Sequence, residues 1–169
     1  MLVLGVDPGL NVTGYGVVAR NGRALAVAEA GVIRPGNATH PIEARLSELY
    51  DGLTEVLEQY HPVALSLEEV FSHQRFPSAA VWMAHARGVV CLAASKAGVP
   101  VHSYAPTSVK LALVGNGLAS KEQVQYMVAQ RLGLVKPLSP LDASDALALA
   151  ITHMDALHSP LNVASSKTQ

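Results

Sequence analysis

Three places in the sequence set carboxylates at the edge of a regular element. Asp7 closes an opening apolar run, Glu68 and Glu69 close a second run, and Asp142 and Asp145 open an apolar helical pattern. Each place has a bland explanation when taken alone. Asp7 before Pro8-Gly9 suits a turn, Glu68-Glu69 suits a solvated strand end, and Asp142 or Asp145 suits a helix start, where the dipole favours an acid. A single cause covers all three: a site for a divalent ion. Carboxylates are hard donors and suit Mg²⁺ or Mn²⁺. Two such ions, roughly 3.5–4 Å apart, can stabilise the attacking and leaving oxygens of an in-line phosphodiester hydrolysis. Asp142 and Asp145 are three apart and so share a helical face. The stretch that follows, Ala146-Leu147-Ala148-Leu149-Ala150-Ile151, is built to be buried, which turns the acids toward the protein or a cleft. Neighbours on a strand face opposite ways, so only one of Glu68 and Glu69 can meet Asp7.

Competing chemistries find less support. The seven histidines, His40, His61, His73, His85, His102, His153 and His158, show no tight ligand spacing. No Ser/His/Asp set and no Walker-type Gly-Lys-Ser/Thr is present.

The elements that must carry these acids alternate. Residues 2–7, 14–19 and 25–34 form three strand-like runs; Pro8-Gly9-Leu10-Asn11 joins the first two, and Asn21-Gly22, a strong hairpin signal, joins the next pair. Thr39-His40-Pro41 opens a helix to about Tyr60, with Ile42, Leu46, Leu49, Leu53, Val56 and Leu57 at helical spacing. A strand follows over 62–71, a helix over 78–97 closed by Gly98, a fifth strand over 99–104, and helices over 107–114, 120–132 and 140–157. Three tightly linked strands followed by strands alternating with helices predict an α/β fold, a mixed five-stranded sheet with helices on both faces. The domain is expected to span 1–158, with 159–169 as a frayed tail.

Composition bounds the answer. The chain has 169 residues, half of them hydrophobic and 15% charged, which is the composition of one globular domain. No apolar run approaches the roughly 20 residues that span a bilayer. The opening residues lack a basic leader pattern, and Cys91 is the only cysteine, so a reduced, cytoplasmic protein is the expectation. Twelve Lys and Arg stand against 13 Asp and Glu, a balance that counts mildly against a nucleic-acid partner unless bound cations complete it.

Several motifs together resemble one family. Asp7-Pro8-Gly9-Leu10-Asn11-Val12-Thr13-Gly14-Tyr15-Gly16-Val17 is similar to the opening signature of RuvC Holliday junction resolvases, and Leu67-Glu68-Glu69-Val70-Phe71 to their second motif. Ala84-His85-Ala86-Arg87-Gly88, the stretch from Val109-Lys110 to Lys121-Gln125, and Asp142-Ala143-Ser144-Asp145-Ala146-Leu147-Ala148 follow in the family's order. The resemblance spans residues 1 to about 154. It implies an RNase H-like fold and a homodimeric, metal-dependent endonuclease that resolves four-way DNA junctions in recombination and repair. It also implies metal ligation by Asp7, Glu68, Asp142 and Asp145, with Mg²⁺ or Mn²⁺ and two ions per site. DNA contact is implied for Lys110, Lys121 and Phe71, and a branch-migration helicase complex of RuvA and RuvB type as partner. Arg75, in the polar loop after Phe71, is a further DNA-contact candidate.

Other readings stay open on the residues alone. Phe71 and Phe76 suit a core, and Lys110 and Lys121 suit a solvated surface. Gly115-Asn116-Gly117 before the N-cap candidate Ser120 suits a close approach to a phosphate. Ala80, Ala84 and Gly88 form a small-residue stripe that suits either packing on the sheet or a dimer contact. An RNA-directed RNase H-like nuclease and an actin-like ATPase are the alternative activities; the second needs two domains of this size.

Overall fold

The computed structural model describes residues 1–37, 39–69, 77–136 and 138–158. Five strands and five helices follow one another as β1 (Leu2–Asp7), β2 (Thr13–Asn21), β3 (Ala24–Ile33), α1 (Ile42–Tyr60), β4 (Ala64–Glu68), α2 (Pro77–Lys96), β5 (Val101–Tyr104), α3 (Pro106–Val114), α4 (Lys121–Arg131) and α5 (Leu141–Leu157). The strands lie side by side as β3-β2-β1-β4-β5. The first three form the expected antiparallel meander, and β4 and β5 run parallel to β1.

Element order agrees with the sequence reading, and the boundaries move for identifiable reasons. Asn21 pairs with Ala24, so the hairpin turn is Gly22-Arg23, one residue later than the Asn-Gly signal suggests. Gly22 takes the positive φ, +61°, that such a turn requires. The fourth strand is Ala64–Glu68, shorter than the expected 62–71. Pro62 has no N–H to give a ladder, and past Glu68 one main-chain bond, Glu69 N–H to the Tyr104 carbonyl at 2.9 Å, closes the pairing. The last part of the expected strand, with Phe71 and Arg75, lies outside the described residues, as does the expected tail 159–169.

Alternation along the strands sorts side chains onto two faces. Leu4 and Val6 of β1, Val17 of β2 and Leu65 and Leu67 of β4 pack with Leu49, Leu53 and Leu57 of α1 and Ala86, Val90 and Ala94 of α2. Val3 and Val18 point the other way, into a core with α3, α4 and the buried side of α5, including Leu147, Ile151 and Met154. Asp7 follows Val3 and Gly5 on this second face.

Here α5 comes down onto the sheet at main-chain distance. Gly5 and Gly16 are register partners, and Gly14 is the partner of Asp7. A Cβ on Gly5 would lie 1.9 Å from the Ala146 carbonyl oxygen and 2.8 Å from the Ala150 nitrogen. One on Gly14 would lie 2.1 Å from the Asp142 carbonyl oxygen, and one on Gly16 2.6 Å from Leu147 Cδ2. Only glycine admits this approach. The first turn of α5 is thereby laid beside the carboxyl end of β1. Among the described residues no helix is long and apolar enough to cross a membrane.

Candidate active site

Asp7 stands at the end of β1 with its side chain on the α5 face. The parallel register pairs Val6 with Leu67, so the next step along brings Asp7 beside Glu68. Glu68 shares its face with the fully buried Ser66, opposite Leu65 and Leu67. Glu69 lies past the strand and is committed through its main chain to Tyr104. Strand parity therefore chooses Glu68, as expected.

Asp7, Glu68 and Asp145 line one cleft of about 260 Å³ together with Lys110 and Lys121. Asp142 does not join them there. It lines a neighbouring groove with Gly9, Asn11 and Trp82. Asp142 and Asp145 both stand on the opening turns of α5, about 60° apart around its axis, and Asp142 is close enough for its charge to act on Asp7 and Lys121. Neither acid caps α5. The N-cap is Pro140, and no side chain bonds the free N–H groups there. Asp142 nonetheless lies in the first turn of α5, where the helix dipole favours an acid.

Like charges held this close must suppress one another's ionisation. Burial, followed by the charges of Glu68, Asp145 and Asp142, pushes the Asp7 carboxyl up from 3.8 to about 7, while Lys121 pulls against the rise. Glu68 is raised by burial and then by Asp145, and a hydrogen bond with Asp7 and the charge of Lys121 oppose this. Near neutral pH the cluster holds a proton that free carboxylates would have lost. Lys121 Nζ sits 2.8 Å from Asp145 Oδ2. That hydrogen bond, more than any other influence, raises the ammonium above its ordinary range. The chain thus supplies one cation of its own to a site with an excess of negative charge.

Local sequence explains where the lysine stands. Ser120 caps α4 in a full capping box: its hydroxyl accepts from Gln123 N–H at 3.3 Å, and Gln123 Oε1 accepts from Ser120 N–H at 2.8 Å. This aims the first turn, with Lys121, at the cleft. The preceding Gly115 has a plainer role than an approach to phosphate. It ends α3 in the left-handed conformation at φ +77° and returns its N–H to the Leu111 carbonyl. Lys110, half-buried on α3, faces the same cleft and makes no ion pair among the described residues.

Could this set hold ions? The donors are of the right kind, oxygen from carboxylates on rigid elements, and the raised Asp7 and the ammonium at Asp145 both mark a place that gains from positive charge. Among the described residues, no three His, Cys, Asp or Glu side chains already stand closed around one point.

Two features escaped the sequence reading. Arg87 of α2 reaches across to donate to the Glu68 carbonyl and, at 2.7 Å, to the Ser103 hydroxyl, tying the ends of β4 and β5 together. Its motif, Ala84–Gly88, was the available signal. Behind the cleft, Tyr104, register partner of Glu68, is hydrogen-bonded through its hydroxyl to His153 Nδ1 at 2.7 Å, and His153 stacks on His102 at 4.1 Å. Burial, then the neighbouring His102, holds His153 down at about 4. The buried His153 meets the exposed His102 in this stack, with no sequence spacing to announce it.

The small-residue stripe also finds its place. Ala84 and Gly88 are exposed, and with Val81 and Leu92 they line a shallow apolar depression on the outside of α2. A Cβ on Gly88 would meet nothing within 4 Å, so this face does not pack on its own sheet.

With this geometry in hand, relatives can be compared. The family described as crossover junction endodeoxyribonuclease RuvC matches residues 3–153. A protein of that name from Rhodopirellula baltica is 43% identical over 162 residues, covering 96% of this chain and 90% of the relative. The Thermus thermophilus RuvC structure superposes with a TM-score of 0.87 at 37% identity, covering 94% of this chain and 96% of that one. The same protein in complex with a Holliday junction substrate superposes with a TM-score of 0.85 at 37% identity, covering 91% of this chain and 93% of the other. A nuclease family built on a mixed sheet, with its acids at the end of β1, the end of β4 and the start of α5, is what the site itself implies, and this chain belongs to the RuvC family of crossover junction endodeoxyribonucleases.

Proposed function

We propose that this chain resolves four-way DNA junctions by metal-dependent hydrolysis of one phosphodiester in each of two opposite strands. The observation that carries the proposal is the meeting of Asp7, Glu68 and Asp145 in one cleft with Lys110 and Lys121. The Thermus thermophilus relative, solved with a Holliday junction substrate, supports the choice of DNA. Asp7, Glu68, Asp142 and Asp145 would hold Mg²⁺ or Mn²⁺, two ions per site. Bound there, the ions supply a nucleophilic water and charge stabilisation at the phosphate.

The chain's own residues divide the remaining work. Asp7 holds a proton in the cluster as it stands, and would act as a metal ligand in its ionised form. Lys121, paired with Asp145, would contribute its ammonium to the phosphate backbone from the same wall. Lys110 lies on the same wall. Phe71 and Arg75, which follow Glu68 in the chain, are assigned to the centre of the junction, where an aromatic can stack on an unpaired base.

Two opposite cuts need two sites. A two-fold symmetric homodimer supplies them, and the outer face of α2, around Ala80, Ala84 and Gly88, is the proposed contact. A branch-migration helicase complex of RuvA and RuvB type is the proposed partner, the cytoplasm the proposed location, and residues 1–158 the proposed nuclease domain, followed by a tail. The test is cleavage of a synthetic four-way junction against matched linear duplex, with and without Mg²⁺ or Mn²⁺. Paired incisions confined to the junction and abolished by chelation are expected. Cutting of RNA–DNA hybrid in preference to the junction would overturn the assignment.

A further inference from the structure

The groove on the far side of Asp142, about 660 Å³, is larger than the acid cleft and has no part in the site so far described. Its lining includes Asn11, His40, Arg45, Trp82 and Met83 as well as Asp142. Asp142 is therefore a shared wall, and whatever leaves the acid cleft past that wall enters this groove.

Two features of the groove point to one ligand chemistry. The first is Arg45. It is 7% exposed, yet its guanidinium bonds only neutral oxygens: Pro35 O at 3.1 Å, Leu10 O, and Asn11 Oδ1 at 2.8 Å. Among the described residues no carboxylate lies within ion-pair distance of it. These bonds brace the β1–β2 loop against the approach to α1, which accounts for the side chain's position. They leave it without an ion pair, so that a guanidinium on one wall of the groove stands with the Asp142 carboxylate on another, and a phosphate is drawn to the Arg45 side. The second feature is Trp82. It is the only tryptophan in the chain, and it stands 47% exposed at the groove's edge, tilted against His85 with ring centroids 6.0 Å apart. An open indole is a platform on which any base can stack. Trp82 sits one residue on from Val81, about 100° around the helix, so it lies to the side of the apolar depression assigned to the dimer.

We infer that this groove holds the DNA strand next to the phosphate being cut, with a backbone phosphate over Arg45 and a base against Trp82. The inference rests on the nuclease assignment of the acid cleft. It adds a subsite, and with it a reason why a strand would be gripped beside the cluster even before ions bind.

The single tryptophan makes the test direct. Full-length protein in chelator is titrated with a fluorescein-labelled four-way junction, recording anisotropy for binding and tryptophan emission for the groove. Emission should change along the same curve as anisotropy. Trp82→Leu should weaken junction binding by about 5- to 100-fold, the range expected for loss of one stacked base, while Trp82→Phe keeps binding within about threefold. Both variants should sediment as wild type does. Emission that stays constant while anisotropy saturates overturns the groove and leaves the nuclease reading standing. So does wild-type affinity in Trp82→Leu, or dissociation of that variant's dimers in step with its loss of binding. Absence of both junction binding and junction cleavage in the wild-type protein overturns the nuclease reading and the groove with it.

Discussion

Replacing Asp7 by Asn should stabilise the metal-free protein while abolishing its activity. In the folded chain the Asp7 carboxyl rises from 3.8 to about 7. A raised acid folds most favourably when protonated. Its full contribution is present below the unfolded value and is lost as pH climbs through the folded one. At 1.36 kcal/mol for each unit, the ionised group opposes folding by about 4 kcal/mol above pH 7. Between pH 6 and pH 8 wild-type stability should fall by about 1.4 kcal/mol from this group alone, since the proton is mostly retained at the lower pH and mostly lost at the higher. Asparagine has no such proton to lose. In urea unfolding with chelator at pH 8, Asp7→Asn should therefore exceed the wild type by up to about 4 kcal/mol, and most of the pH slope should vanish. Adding Mg²⁺ should narrow or reverse the order, because only the wild type gains fully from ion binding. Junction cleavage should be lost and junction binding kept. A variant that is less stable than wild type in chelator at pH 8, or that keeps the wild-type slope, would show that the cluster is not held together under mutual repulsion.

Glu68→Gln should remove cleavage and Glu69→Gln should leave most of it, because β4 turns only Glu68 to the α5 face; the opposite pattern in a junction assay would show the register to be wrong. Lys121→Met should slow cleavage and make junction affinity less steep in salt, as expected when one phosphate contact is lost. Its cost to stability should stay within about 1 kcal/mol, the Lys121 side chain being 66% exposed; an unchanged rate and salt slope would return it to the solvated surface. Gly5→Ala puts a methyl 1.9 Å from a carbonyl oxygen. It should cost about 3 kcal/mol or more, at the upper end of overpacking, and a melting temperature equal to wild type would mean that α5 can shift off the strand.

How much of this was legible beforehand depends on the range of the forces involved. Alternation in β1 and β2, the proline and glycine of the first turn, and the Ser120 N-cap are local, and each appears in the structure where the sequence puts it. That Asp142 also lines a second groove was not legible, because this depends on how α5 is rotated against the sheet, and the close seats on Gly5, Gly14 and Gly16 come from strands more than a hundred residues away. The roles of Arg45 and Arg87 could not be read for a related reason, although Arg87 lay within a quoted motif. Both spend their guanidinium bonds on oxygens of distant segments, main-chain carbonyls among them, and a carbonyl leaves no mark in a sequence. Gly115 shows the reverse case: a glycine after a helix suits both a cap and a phosphate approach, and its φ of +77° establishes the cap.

The contact of α5 with three glycines has a consequence for how the enzyme fails. Where elements meet through side chains, rotamers can hop and layers can slip by fractions of an ångström while the fold survives. Backbone resting on backbone, as at Gly5 and Gly14, has little such slack: the helix is keyed into its slot, and the offset between Asp7 and the acids of α5 is fixed by main-chain contact. Heat or substitutions that loosen the α1–α2 layer leave that offset alone, though they reach the dimer face and the Trp82 groove. Paired cleavage should then fail as the outer layer softens, while the acid cluster itself outlasts it and is lost only when the sheet comes apart.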